Sequence, residues 1–355
     1  MGFGQRLRKP GTDPGEGAAI FAAPARLSMD PHDTAAASDV GRGGIPHLIH
    51  IGYPKAGATF FKAWCESRED IAFTRRGFAG HAHIEDVPND VVGSRPGLMV
   101  SSSEALVSVF SRHGRSPRSG WPTGDPPRMS TLAAGRRRQA ETCAQLARLF
   151  PTAHILILVR GFEGAIRSLV AQRIKAGRPE RWAWDPDANV QALKSYRMFM
   201  DYDRVIGLYE AAFGSERVTV LPYEMLRDDL EAYVRALCRV GGLPYRPFDP
   251  GRVNASMPGH ALAATTRLSA VVRPVLDRLP GPANRIASRA YARLLAVGPV
   301  RRALDLTGRV ARVTPLPDHL VPADALRKAF AGCADSLVQR PEVAPYAAEY
   351  LVAGR

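Results

Sequence analysis

Two cations stand where a chain most readily grips an anion. Lys55 lies inside the run Gly52-Tyr53-Pro54-Lys55-Ala56-Gly57-Ala58-Thr59-Phe60. Residues 47–51 before it read as a short buried strand, Gly52 to Gly57 as a tight loop, and Ala58 onward as a helix whose Phe60, Phe61, Ala63 and Trp64 can face a sheet. Strand, glycine-bounded loop and helix make a phosphate cradle. The loop N–H groups and the first orphan N–H groups of the helix point at one spot, and the helix dipole favours an anion there. The spacing imitates a Walker A loop, but Ala58 occupies the position where that motif needs its lysine. Only six of the 48 basic residues are lysines, at 9, 55, 62, 175, 194 and 328. A lysine inside the loop is therefore a choice of chemistry, because a compact ammonium fits beside a bridging oxygen where a planar guanidinium does not.

The second cation, Arg160, ends the continuous apolar run Ile155 to Val159, which suits a central parallel strand; residues 162–173 then carry helical periodicity, with Ser168 about two turns in. That strand end places Arg160 on the carboxyl edge of the sheet, where open parallel sheets bind ligands. A third strand, residues 217–221, leads into Tyr223-Glu224 and another helix.

The run YPKAGAT followed by an aromatic residue resembles the 5′-phosphosulfate loop of the sulfotransferases, which take the sulfuryl group from 3′-phosphoadenosine 5′-phosphosulfate (PAPS). Arg160 with Ser168 eight residues on resembles their 3′-phosphate motif, and the strand followed by Tyr223-Glu224 resembles a third segment of the family. The resemblance spans roughly residues 46 to 258, with RVNAS around Asn254 and Ser256 as a fourth block. It implies a three-layer, P-loop-like α/β fold with a central parallel sheet flanked by helices, PAPS as donor and no metal. It assigns Tyr53, Pro54, Lys55, Ala56, Gly57, Ala58, Thr59, Phe60, Arg160, Ser168 and Tyr223 to the donor, with Lys55 stabilising the leaving group. Ala58 departs from the hydroxyl residue usual in the family at that place; Thr59 keeps the other hydroxyl. The family's general base is His or Glu. Glu104, just past a strand end at residues 97–101, is the first candidate, His83 the second and His81 the third. In related enzymes the last helices close over the nucleotide.

The net charge of +14 implies anionic partners. The four cysteines, far apart and without zinc-type spacing, imply free thiols in a reducing compartment. No run of about 18 apolar residues occurs, so a cytoplasmic protein is expected, or one peripheral to the inner membrane face. Residues 1–44 read as a tail without regular structure, 45–258 as the PAPS-binding core, 259–315 as a basic helical segment and 316–355 as C-terminal helices of the same domain. Residues 111–130 read as a surface loop. Residues 188–213 read as one long helix and the three arginines at 136–138 as a solvated face. In 259–312, ten arginines face Asp277 and Asp305, and an apolar stripe runs through Leu268, Val271, Val272, Val275, Leu276 and Leu279. Such a segment can lie on an acidic membrane, bind an anionic saccharide or cap the core. Two other classes stay open. A polyanion- or nucleic-acid-binding protein would use the arginine surface and be indifferent to Lys55; a P-loop nucleotide kinase would need a Walker B acid, whereas the strand at 155–159 ends in Arg160. Nucleic acid is not the expected partner.

Overall fold

The computed structural model describes residues 47–73, 97–107, 132–178, 193, 196–197, 199–251, 257–313 and 321–351. The N-terminal tail, the loop at 111–130, His81, His83, Asn254 and Ser256 lie outside the described residues. Five strands form one all-parallel sheet in the order β2-β3-β1-β4-β5: β1 His47–His50, β2 Ile71–Phe73, β3 Leu98–Ser102, β4 His154–Val159 and β5 Val218–Pro222. β1 and β4 are buried along their whole length; the apolar run at 155–159 suits this in β4, whereas β1 also buries His47 and His50. Two polar pairs also sit inside the β1–β3 ladder: His47 Nε2 lies 2.9 Å from Ser101 Oγ, and His50 Nδ1 2.8 Å from Ser102 Oγ.

Between the strands run α1 Ala58–Glu66, α2 Leu132–Leu149, α3 Phe162–Lys175 and α4 Tyr202–Phe213. The chain leaves β1 toward β2 and later crosses from β3 to β4 in the opposite direction. Right-handed crossovers therefore put α1 on one face of the sheet and α2 with α4 on the other, which makes three layers. The pairing of α2 with α4 is tied by the Cys143 thiol, 3.6 Å from Leu208 O. After β5 come α5 Tyr223–Asp228 and α6 Leu230–Gly241, whose Asp229 side chain caps the helix by accepting from Ala232 N at 2.9 Å. Then follow α7 Gly259–Asp277, α8 Gly281–Ala296, α9 Gly298–Val310, α10 Ala323–Phe330 and α11 Ala347–Tyr350.

Three details differ from the sequence reading. The edge strand β2 is an addition; at three residues it is too short to show a period. The helix expected over 188–213 is broken at Asp201, whose carboxylate accepts from Arg136 at 3.1 Å, so α4 starts only at Tyr202 and Arg136 pins that break rather than merely facing solvent. The C-terminal segment is not a plain helical pair: after α10 the chain passes Gly332, in the left-handed region at φ 73°, and two single 3-10 turns before α11.

Candidate active site

The sheet order fixes where the site is. The chain leaves β1 to one side and β4 to the other, so a crevice opens between their carboxyl ends, and the loops after those two strands carry Lys55 and Arg160. Tyr53 N donates to Leu158 O at 3.1 Å, prolonging the β1–β4 pairing to the edge of the loop. A Cβ at Gly52 would overlap the His50 ring, so only glycine lets the chain leave the strand there. Lys55 then adopts the left-handed conformation at φ 69° and Gly57 does so at φ 101°. These two reversals bring α1 back toward the crevice. Among the described residues no side chain caps α1, which leaves its first N–H groups to an incoming ligand. An uncapped helix start beside an ammonium suits an anionic donor group.

Arg160 joins the two halves. Its Nη1 donates to Lys55 O at 3.0 Å, and its guanidinium lies 4.1 Å from the centre of the Tyr223 ring, in cation–π contact. From behind, the Tyr202 hydroxyl donates to Arg160 O at 2.6 Å. The next residue, Gly161, donates its N–H to Glu224 Oε1 at 3.1 Å, and the buried Glu224 accepts from the Tyr350 hydroxyl through Oε2 at 2.7 Å. Thus the turns after β4 and β5 are locked together by the C-terminal end of the chain.

Glu104 enters from the other side. β3 is the neighbour of β1, and Ser103 N donates to His50 O at 3.0 Å, so the 3-10 turn Glu104–Leu106 starts beside the Lys55 loop. Burial raises the proton affinity of the Glu104 carboxyl above the ordinary range, against the opposing pull of Lys62 and Lys55. Burial also lowers the Lys55 pKa; Glu104 counters this and Arg160 adds to it. A carboxyl pushed up and an ammonium pushed down within one field are the makings of an acid–base pair.

The remaining positions divide by what they contribute. Pro54 is half-buried at the loop turn, Ala56 and Ala58 are buried, and Thr59 is exposed on the first turn of α1. Tyr53 offers the site only its backbone, because its ring is buried edge-on to Tyr202 at 4.7 Å. Phe60 packs edge-on against Tyr233 and Phe248, at 5.7 and 5.3 Å. Ser168 is half-buried in the middle of α3. Sequence reasoning did not assign Lys62, Lys175 or the Glu224–Tyr350 pair to the site. The scarcity of lysine held a signal for the first two: Lys62 acts on Glu104, and Lys175 feels both Lys55 and Arg301.

Fold and site together define an α/β protein with a crevice flanked by Lys55 and Arg160 at the carboxyl ends of a parallel sheet. Residues 136–247 match the model of the sulfotransferase family. The matched stretch runs from α2 through α6 and beyond, so it contains Arg160, Ser168 and Tyr223, while Lys55 and Glu104 precede it. Among solved structures, the chain is similar to a sulfotransferase from Alicyclobacillus acidocaldarius at 16% identity and a TM-score of 0.38, over 68% of this chain and 98% of that one. No curated protein matches.

Proposed function

We propose that this protein is a PAPS-dependent sulfotransferase that moves a sulfuryl group to a hydroxyl or amine of an acceptor. The observation that carries the reading is the bond from the Arg160 guanidinium to the Lys55 carbonyl, which sets two anion-binding groups side by side at the end of adjacent strands. In this reading Arg160, steadied on the Tyr223 ring, holds the 3′-phosphate together with Ser168, and the start of α1 with Thr59 receives the phosphosulfate. PAPS supplies the activated sulfuryl group. Glu104 takes the proton from the acceptor as the acceptor's oxygen or nitrogen bonds to sulfur. Lys55 stabilises the negative charge left on the bridging oxygen as the bond from that oxygen to sulfur breaks and adenosine 3′,5′-bisphosphate departs.

The acceptor class we favour is a saccharide or glycolipid with anionic character, because Lys175 and Arg301 extend the positive field beside Lys55. A reducing, cytoplasmic setting is supported by four buried free thiols. Calorimetry with adenosine 3′,5′-bisphosphate tests the donor assignment: the native protein should bind it well above ATP, and Arg160→Ala should lose ~10-fold or more. Equal affinity for the two nucleotides, or indifference to Arg160→Ala and Lys55→Ala alike, would overturn it.

A further inference from the structure

The three helices α7, α8 and α9 carry a surface that the site does not use. Among the described residues, nine of the ten exposed large hydrophobics fall between positions 268 and 310. They are not scattered. On α7, Leu268, Val271 and Val275 recur at helical spacing, with Val271 73% exposed. On α8 Ile286 is 69% exposed, and on α9 Leu306 and Val310 stand one turn apart with Val310 at 76%. The inward faces of the same helices are accounted for. Ser269 Oγ lies 3.0 Å from the Tyr291 hydroxyl, Arg273 donates to Ser288 Oγ at 2.9 Å, and Gly308 abuts His260 O so closely that a Cβ would overlap it. The apolar residues are thus the outer face of a packed helical unit and not a core left open by misplacement.

Charge says what could cover that face. Residues 259–312 hold ten arginines and two acids. Both acids are already engaged, Asp277 with Arg273 at 2.6 Å and Asp305 with Arg309 at 2.9 Å. The exposed Arg267 and Arg278 border the α7 stripe, Arg285, Arg289 and Arg293 share the outer side of α8 with Ile286, and Arg302 sits one turn before Leu306. Apolar side chains flanked by arginines on one helix face are the pattern of helices that lie in the headgroup region, with guanidinium groups on phosphates and aliphatic groups among the acyl chains. A folded protein partner would have to bring a large acidic rim to the same patch; an anionic bilayer presents it everywhere. No described helix is long and apolar enough to cross a membrane, so contact would be peripheral.

We infer that the outer face of α7, α8 and α9 docks this protein on an anionic lipid surface. The inference is independent of the sulfotransferase reading and would stand without it. The test is sedimentation of the full-length chain with phosphatidylcholine vesicles, with and without about 30% phosphatidylglycerol, at rising salt. Native protein should bind the anionic vesicles ~10-fold or more better than the neutral ones and be released by salt. The combined variant Val271→Ser, Ile286→Ser, Leu306→Ser, Val310→Ser should lose ~10-fold or more of that binding, as should Arg285→Gln, Arg289→Gln, Arg293→Gln. All seven side chains are exposed, and an unchanged thermal unfolding curve shows that the variants remain folded. Three outcomes would overturn the inference: no binding of native protein to anionic vesicles, equal binding by the apolar variant, or a native dimer by light scattering that the apolar variant converts to monomer, which would make a second copy the occupant.

Discussion

Lys55 and Glu104 titrate toward each other, and that sets the expected pH behaviour of the site. The proposed transfer needs Glu104 ionised and Lys55 protonated. The raised carboxyl moves the acid limb of kcat/KM above the ordinary 4.5, and the lowered ammonium moves the alkaline limb below the ordinary 10.5. A profile with limbs at the unperturbed values would contradict the pairing. Glu104→Gln should lower kcat ~100-fold or more and abolish the acid limb, while Lys55→Ala should lower kcat by ~100-fold or more with donor affinity less affected. Arg160→Lys is not a conservative change here. An ammonium cannot reproduce the planar contact on Tyr223 or a forked grip on phosphate, so affinity for adenosine 3′,5′-bisphosphate should fall nearly as far as in Arg160→Ala. The placing of Lys55 and Arg160 just past strand ends was legible in the sequence, from the glycine-bounded loop after a short strand for the first and from the apolar run at 155–159 for the second. The clasp on the neighbouring Gly161 was not, since Glu224 and Tyr350 are 126 positions apart and no local pattern links them.

At the level of elements, β1 and β3 are joined by buried imidazoles, and this makes the centre of the sheet sensitive to acid. Burial holds His47 and His50 down to about 3 from 6.5, so both are neutral in the folded sheet. Their contribution is full above pH 6.5 and is lost as pH falls from 6.5 toward 3, because the unfolded chain takes up the protons first. At about pH 5 the loss is roughly 2 kcal/mol per histidine. Urea unfolding between pH 7 and pH 5 should show this slope, and the double variant His47→Gln, His50→Gln should flatten it; a native protein with no slope would refute the account. A second element-scale expectation concerns the C-terminal clasp. A Cβ on Gly161 would stand 2.7 Å from Glu349 Cβ and 2.8 Å from Glu349 O, so Gly161→Ala must push α11 away. It should cost about 1–3 kcal/mol and weaken donor binding, whereas Tyr350→Phe should cost only about 1–2 kcal/mol through the lost bond to Glu224. The amphipathic stripe of α7 shows the limit of pattern reading: periodicity reveals an apolar face but not what lies opposite, so a core cap and an exposed docking face read alike. The break at Asp201 was hidden for a related reason, since it depends on Arg136 from another helix.

For the molecule as a whole, the cysteines report folding. Cys65, Cys143, Cys238 and Cys333 are all buried, and burial pushes the Cys143 thiol up to about 12 and Cys333 up to about 11. None should react with a thiol reagent at neutral pH until the chain opens globally, and labelling should therefore follow unfolding measured by circular dichroism. A thiol modified quickly in the native protein would show that its part of the core opens on its own. The parallel sheet and its three layers were readable from the strands at 47–51, 97–101, 155–159 and 217–221 and the helices between them, because a chain that alternates such elements has few ways to cover both faces. The left-handed backbone of Lys55 has a further consequence for anyone who engineers this protein. A side chain in that conformation costs about 1 kcal/mol relative to glycine, so Lys55→Gly should come out as a stabilising substitution. A screen that rewards heat resistance alone would select it and, if the ammonium acts as proposed, would yield a sturdier molecule that has forgotten its chemistry.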